Sequence, residues 1–317
     1  MQPLRILTWH TRDSYLYYLG QLPHKFYVMT KPQRPSGYAG RCSRWQWGDN
    51  VIEMAVEQAR DGQFDCIMFQ HPSHYLEDQY LYLTAQQRQL PRIYVEHETP
   101  LTHPTDMRHP LDDREVLLVH VTAFNQMMWD NGHQTTRMIE HGAIVPSNVQ
   151  YAGTRASGLV IANHLSKRGR RSGSDIFRRV SQRIPLELVG ADSRDCGGLG
   201  EISHAQLPQF AAQFRFLFVP MRSANLSLAV IEAMLIGMPV IGLATSNMPS
   251  VIQNGISGYV DTDIDKLEMH MQELLDDPHY AFALGRGAQR RARERFGIRR
   301  FTDDWNTTLQ LVTDRRS

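Results

Sequence analysis

Residues 216–260 read FLFVPMRSANLSLAVIEAMLIGMPVIGLATSNMPSVIQNGISGYV, and the order of apolar runs within them decides the fold. FLFVP and PVIGLA are short, rich in branched and aromatic residues, and bounded by polar or turn residues, the pattern of buried strands. Between them, LSLAVIEAMLIG has the continuity of a helix stopped by glycine. SGYVDT adds a further strand. Strands alternating with helices imply a parallel sheet wrapped on both sides. One residue interrupts the apolar helix. Glu232 has Leu228 and Ile236 four residues to either side, and Ala229 and Leu235 at three, so no basic partner lies within helical reach. Burying an unpaired carboxylate costs several kcal/mol or forces it to take up a proton. Glu232 therefore reaches solvent, meets an arginine from elsewhere in the fold, or accepts hydrogen bonds from ligand hydroxyls. Asn225, seven residues earlier, falls on nearly the same stripe and extends a polar line toward the helix start.

The alternation continues outward in both directions. LRILTWH, KFYVMT, DCIMFQ, RIYVEH and VLLVHVT read as buried strands of the first half. DSYLYYLGQL, NVIEMAVEQARDG and LEDQYLYLTAQQRQ read as helices, the second capped by Asp49 or Asn50 and stopped by Gly62. Ser147 to Gly158 is small, polar, glycine-bearing and without period, which marks a linker. Beyond it come GLVIANH, a basic helix, LELVG, a loop with a short helix, FRFLFVP, the helix of Glu232, two more strands and two polar helices. The expected fold is α/β, with two doubly wound Rossmann-like domains over residues 1–147 and 148–298 facing each other across a cleft. In such sheets ligands bind outside the carboxyl ends of the strands, and the cleft is the default site.

Composition narrows the function. A chain of 317 residues exceeds one ordinary core and suits two domains. Hydrophobic residues at 42% and charged residues at 21% describe a globular protein rather than a disordered one. MQPLRILTWHTRD lacks the segments of a secretory signal and no apolar run is long enough for a membrane span, so a cytoplasmic location is expected. Cys42, Cys66 and Cys196 are odd in number and far apart, which suggests neither a disulfide framework nor a cysteine zinc site. A net charge of +1 removes any global case for nucleic acid.

The quoted stretch resembles the donor-site signature of the retaining nucleotide-sugar glycosyltransferases of family four (glycosyl transferases group 1), which have the two-domain GT-B fold. The likeness rests on Pro220, Glu232-Ala233-Met234, Gly237, Pro239-Val240-Ile241, Pro249, Asn254-Gly255 and Gly258, spread over about forty-five residues. By this resemblance the first domain takes the acceptor and the second the donor, and residues 299–317 form a helix crossing back to the first domain. Glu232 is then the second glutamate of the family's E-x7-E pair, expected to hold the donor ribose hydroxyls. The first glutamate falls at Ala224, so the usual contact to the transferred sugar is missing; Asn225 or Ser223 can take its place, or the donor sugar differs.

VIANHLSKRGRRSGSDIF places Arg168-Gly169 where the family has Lys-Gly, and Asn163 where it has an arginine. A guanidinium grips a diphosphate in a forked geometry that an ammonium cannot, which makes Arg168 a phosphate ligand; Arg170 and Arg171 stand close enough to replace the charge lost at Asn163. A helix beginning near Asn225 should offer N–H groups of Leu226 and Ser227 to a phosphate or sugar oxygen. In PRIYVEHETP, His97 lies just past a strand, where family members carry a residue near the transferred sugar; a core histidine is the competing reading. Glu96 and Glu98 flank it. TTRMIEHGAIVP resembles the family's strand and turn before the linker, with His141-Gly142 at the turn.

The resemblance implies transfer of a hexosyl group from a nucleotide-diphosphate sugar to a hydroxyl of a polysaccharide, glycolipid or small glycoside, with no metal or other cofactor. A lipid-linked acceptor and peripheral membrane contact are compatible with it. Asp261 to Asp265 follow a strand and precede a helix, where a capping run is expected. The histidines from His71 to His109 lack zinc-site spacing. The arginines of GRGAQRRARERFGIRRF suit a solvated, charge-paired helix or an anionic lipid surface. TWHTRDSY stands where the family has paired glycines, with His10, Arg12 and Ser14 as acceptor contacts or helix caps. Two other classes fit the same architecture: a nucleotide-sugar epimerase or hydrolase, and a nucleotide-sugar-binding partner subunit without catalysis.

Overall fold

The computed structural model describes residues 2–223 and 225–314. Two units partition the chain, Met1–Gly142 with Ile298–Ser317, and Ala143–Gly297. In the first, seven parallel strands form a sheet: β1 (Arg5–Trp9), β2 (Lys25–Thr30), β3 (Val51–Ala55), β4 (Cys66–Phe69), β5 (Arg92–Glu96), β6 (Val116–His120) and β7 (Thr136–Met138). Their order is β3-β2-β1-β4-β5-β6-β7. Three short helices connect them, α1 (Asp13–Leu19), α2 (Gln79–Tyr82) and α3 (Ala123–Met128). Leu7, Trp9, Phe69, Tyr94 and Leu118 are fully buried in its core.

The strand β3 corrects the helix expected over 50–62. Val51 to Ala55 pair with Phe26 to Thr30 along the sheet edge, and only a 3₁₀ turn, Val56–Asp61, follows. Asn50 does not cap a helix, because its side-chain amide donates to the carbonyls of Gly20, Leu22 and His24. Branched residues at the start of the segment fit a pleated edge better than a helix. The helix expected over 76–89 is likewise reduced to α2 between a π-type turn, His74–Asp78, and a 3₁₀ turn, Gln87–Gln89.

The second unit has five parallel strands, β8 (Arg155–Ile161), β9 (Leu186–Val189), β10 (Phe214–Val219), β11 (Val240–Leu243) and β12 (Gly258–Asp261). Their order is β12-β11-β10-β8-β9. Its helices are α4 (Gly169–Ser172), α5 (Ser174–Val180), α6 (Leu207–Ala211), α7 (Leu228–Ile236), α8 (Met248–Val251), α9 (Ile264–Asp276) and α10 (Pro278–Phe296). Strand β8 begins at Arg155, inside the stretch expected to be linker. Gly158 there is a packing residue: a Cβ would overlap the Phe216 ring of β10. Phe216, Phe218 and Ile241 of the sheet pack with Ile176 and Val180 of α5 and Leu267 and Met271 of α9.

The chain then returns to the first unit as α11 (Ile298–Asp314), so Pro278 and Gly297 divide three closing helices where the sequence reads as two. Phe301, Trp305, Leu309 and Val312 are its buried stripe. Burying Phe301 and Leu309 contributes ~1.5–3 kcal/mol each. Phe301 and Trp305 meet the Tyr15 ring of α1 edge-on at 5.7 and 6.5 Å. Arg300 ties the same helix to the carbonyls of Glu140 and His141 at 2.8 and 2.7 Å. Among the described residues no helix is long and apolar enough to cross a membrane.

Candidate functional site

In the second unit β8 is flanked by β9 on one side and β10 on the other, so the chain reverses its direction of winding there. A ligand crevice opens at the carboxyl ends of two strands at such a point. The described residues that rim it are 162–168 after β8, and 220–223 with 225–227 after β10. The second of these leads into α7.

Helix α7 is apolar on every side and correspondingly buried from Val230 to Ile236. Glu232 shares that burial, at 5% exposure. Its partner comes from outside the helix: His204 Nε2 lies 2.8 Å from Glu232 Oε1. His204 sits in the loop before α6, and no local pattern announces it, because the pair is separated by 28 residues. The carboxylate is thus held by an imidazole from outside its own helix.

The start of α7 differs from expectation. Ser227 is the N-cap, its side chain accepting from the Val230 N–H at 3.3 Å, and the helix runs from Leu228. Leu226 and Ser227 therefore precede the helix, and its leading donors are the N–H groups of Leu228 and Ala229. A serine side chain that satisfies the first turn is a better start than Asn225, which stays in the loop. Asn225, Leu226 and Ser227 all line one small depression. Ala224 lies outside the described residues.

The loop after β8 carries the basic residues. Arg168 is exposed at the start of α4, and among the described residues no carboxylate pairs with it. Asn163 is directed elsewhere: its Oδ1 accepts from the Ala191 N–H at 2.8 Å, which joins the ends of β8 and β9. That contact is structural. Arg170 pairs with Asp175 at 2.7 Å, and Arg171 Nε reaches the Ser223 carbonyl at 3.3 Å. Arg222 completes a clasp between the two rims, forking onto both Asp175 oxygens at 2.7 and 2.8 Å and onto the Arg170 carbonyl at 2.8 Å. Its own N–H donates to the Arg171 carbonyl at 3.0 Å. Arg222 holds the Asp175 carboxyl at about 2, well below the usual carboxylate value.

Two expectations of lesser weight resolve nearby. Asp263 caps α9 by accepting from the Asp265 N–H, and Asp261 accepts from the Asp263 N–H. In α10, Arg291 donates to the Val251 and Ser250 carbonyls and Arg295 to the latter, so these two arginines secure the end of α8.

His97 belongs to the first unit, directly after β5. It is buried, with its ring edge-on to Tyr15 at 4.6 Å. Gln70, at the end of β4, sets its protonation. The Gln70 amide nitrogen donates to Thr8 Oγ1 at 2.9 Å and the Trp9 carbonyl at 3.0 Å, which turns Oε1 toward His97 Nε2 at 3.1 Å. The proton of the neutral ring therefore sits on Nε2 and Nδ1 is the acceptor. Burial pushes the imidazole well below its ordinary value, and the nearby Arg12 guanidinium adds to the effect. Glu96 and Glu98 do not orient His97. Glu96 accepts from His109 Nε2 at 3.0 Å and from the Glu98 N–H at 2.7 Å, and Glu98 pairs with Arg12. Gln70 was legible only as the polar end of a strand.

Comparison with known proteins places this geometry. Residues 194–291 match the family model described as Glycosyl transferases group 1. Over this part the chain is similar to glycosyl transferases group 1. The match contains His204, Asn225, Leu226, Ser227 and Glu232, while Asn163, Arg168 and His97 lie outside the matched range. Among curated proteins no sequence matches the chain. Solved structures do. Sucrose-phosphate synthase from Thermosynechococcus elongatus is similar with a TM-score of 0.70 at 16% identity, covering 98% of this chain and 99% of that one. HepE of Anabaena, in complex with UDP and glucose, gives 0.69 at 12% identity, covering 97% and 99%. A glycosyltransferase from Rickettsia africae gives 0.67 at 12% identity, covering 98% and 99%. At these identities the likeness establishes the fold, which is GT-B: two Rossmann-like units, each with a parallel sheet, the second containing the matched residues.

Proposed function

We propose that the protein is a retaining glycosyltransferase of family four that moves a hexosyl group from a nucleotide-diphosphate sugar to a hydroxyl acceptor without a metal. The observation that carries this reading is Glu232, a carboxylate buried in the apolar helix α7 within the residues that match the group 1 model. His204 meets one carboxylate oxygen at 2.8 Å, and ligand hydroxyls add a reason for an acceptor at this point of an otherwise apolar helix. Glu232 anchors the ribose hydroxyls, and His204 orients the carboxylate. Arg168 and the leading N–H groups of α7 take the diphosphate. His97, neutral and with a fixed tautomer, orients the sugar rather than acting as an acid.

In the reaction, the bond from the anomeric carbon to the diphosphate oxygen breaks and the bond to the acceptor oxygen forms on the same face. The acceptor proton passes to the departing diphosphate. The protein contributes positioning and charge stabilisation. HepE structures contain UDP or UDP-glucose, which makes uridine diphosphate sugars the first donors to test. The acceptor is a polysaccharide, glycolipid or small glycoside on the cytoplasmic side, lipid-linked acceptors included. A second reading, a partner subunit that binds the donor without turnover, is favoured by Ala224 at the first glutamate position.

A thermal-shift panel of uridine, guanosine and adenosine diphosphate glucose on wild type, Glu232→Gln and Glu232→Ala tests the site. Wild type is expected to respond to one donor and both variants to lose that response. Equal responses in all three proteins remove Glu232 from the site. Turnover with an added acceptor separates the enzyme from the inactive subunit.

A further inference from the structure

Helix α10 reads PHYAFALGRGAQRRARERF, with five arginines and one acid, Glu294. Its inner side is closely packed. Ala281, Leu284, Ala288, Ala292 and Phe296 are buried, and Gly285 and Gly287 lie so near the Gly237 and Ile256 carbonyls that a Cβ at either would overlap them. Arg291 and Arg295 are spent within the fold, on carbonyls at the end of α8. The other three arginines point outward. At ~3.6 residues per turn, Phe282, Arg286, Arg290 and Arg293 fall within a sector roughly 80° wide, and all four are exposed. On that sector the helix is not charge-paired. Among the described residues no carboxylate pairs with Arg286, Arg290 or Arg293, whereas Arg299 and Arg300 of α11 meet Asp303 and Asp304.

The surroundings leave that charge standing. The segments that border α10, 143–151 where Tyr151 stacks on Phe282 and 252–257 where Ile256 meets Gly287, contain no charged residue. Phe282 is 47% exposed, with the Arg286 guanidinium 5.6 Å from its ring centroid, and Ile256 in the bordering turn is 45% exposed. The face thus combines a local positive field with exposed apolar groups, two features that an anionic interface satisfies together. We propose that this face of α10 is a contact surface for anionic phospholipid. The guanidiniums fork onto lipid phosphates, and Phe282 and Ile256 enter the boundary between headgroups and acyl chains. Nucleic acid fits less well, because a net charge of +1 gives no long-range field to draw a polyanion and the sector has no Asn or Gln to read bases. A charged membrane needs only the local face, since its field decays within a Debye length. The contact is independent of the donor reading, requiring neither nucleotide nor turnover.

Co-sedimentation of the whole 317-residue chain with lipid vesicles tests this. Wild type is expected to pellet with vesicles of phosphatidylcholine mixed with phosphatidylglycerol, to stay in solution with phosphatidylcholine alone, and to bind less as salt is added. Each arginine near an anionic surface strengthens binding about fivefold, so Arg286→Gln, Arg290→Gln and Arg293→Gln combined should lower the partition about a hundredfold. That variant should keep the wild-type melting temperature, because the three side chains are exposed and give up no ion pair. Arg60→Gln, Arg108→Gln and Arg114→Gln combined, an equal change of charge on exposed arginines of the first unit, should leave the partition nearly as it was. Phe282→Ser should weaken binding by an amount that persists at high salt, as loss of an apolar contact does. Wild type that shows no preference for phosphatidylglycerol overturns the proposal, as does an equal loss in both arginine triples. Wild type that ignores vesicles but binds a single-stranded oligonucleotide through Arg286, Arg290 and Arg293 points to nucleic acid and overturns it too. A thermal-shift response to a nucleotide sugar without vesicle binding sinks the membrane contact and leaves the donor reading standing; vesicle binding without that response does the reverse.

Discussion

Removing the clasp between Arg222 and Asp175 should weaken the second unit by a predictable and pH-dependent amount. Arg222 forks onto both carboxylate oxygens, and about a third of each side chain is exposed, 32% in both cases. A fall of the Asp175 carboxyl from 3.8 to about 2 corresponds to roughly 2 kcal/mol at full strength. Screening of a partly exposed pair reduces this to about 1 kcal/mol, some of it supplied by Arg170, which shares the carboxylate. The native value is depressed, so the contribution is complete above the unfolded value near 3.8 and is lost as pH falls through the native value near 2. A double-mutant cycle of Asp175→Ala and Arg222→Ala, followed by urea unfolding at pH 7 and pH 3, should give a coupling of about 1 kcal/mol that shrinks at the lower pH. Hydrogen exchange at the Arg222 and Ser223 amides, both bonded to the Arg171 carbonyl, should quicken in either variant. A coupling under ~0.3 kcal/mol at pH 7, or one of equal size at pH 3, refutes the reasoning.

Gln70→Glu replaces the amide oxygen facing His97 with a carboxylate and removes the donors to Thr8 and Trp9. The imidazole should then gain a proton partner and titrate at higher pH, visible as an upward-moving His97 resonance by NMR; an unmoved titration would mean that Gln70 does not set the ring. Gly285 of α10 packs so closely on the Gly237 carbonyl that a Cβ would overlap it. Gly285→Ala should therefore destabilise the second unit by about 1–3 kcal/mol, read as a lower urea midpoint, despite alanine's better helix propensity.

Both parallel sheets were legible in the sequence because their central strands are buried on both faces and so read as continuous apolar runs, as β10 and β11 do. Edges read less well. The segment of β3 passes for a helix because AVEQARDG carries helix formers, while its pairing with β2 is a tertiary fact that no local pattern contains. Glu232 stood out for its surroundings alone, since a carboxylate in a greasy helix is expensive wherever its partner comes from. The partner did not stand out. His204 and Gln70 lie in a polar loop and at a strand end, and each matters through a neighbour distant in the chain. Ser227 shows the limit at finer scale: the polar residues before α7 were visible, but which of them caps the helix depended on backbone geometry.

The Ala143 N–H donates to the Phe296 carbonyl at 3.0 Å, and Ala143 bridges Gly297. The entrance and exit of the second unit are consequently neighbours, and everything between them is one uninterrupted piece of chain. Such a segment behaves topologically as an insertion into a host, whose own sequence resumes at Ile298 after a detour. Residues 143–297 should accordingly be transplantable as a cassette, with a short bridge joining Gly142 to Ile298 in the remainder.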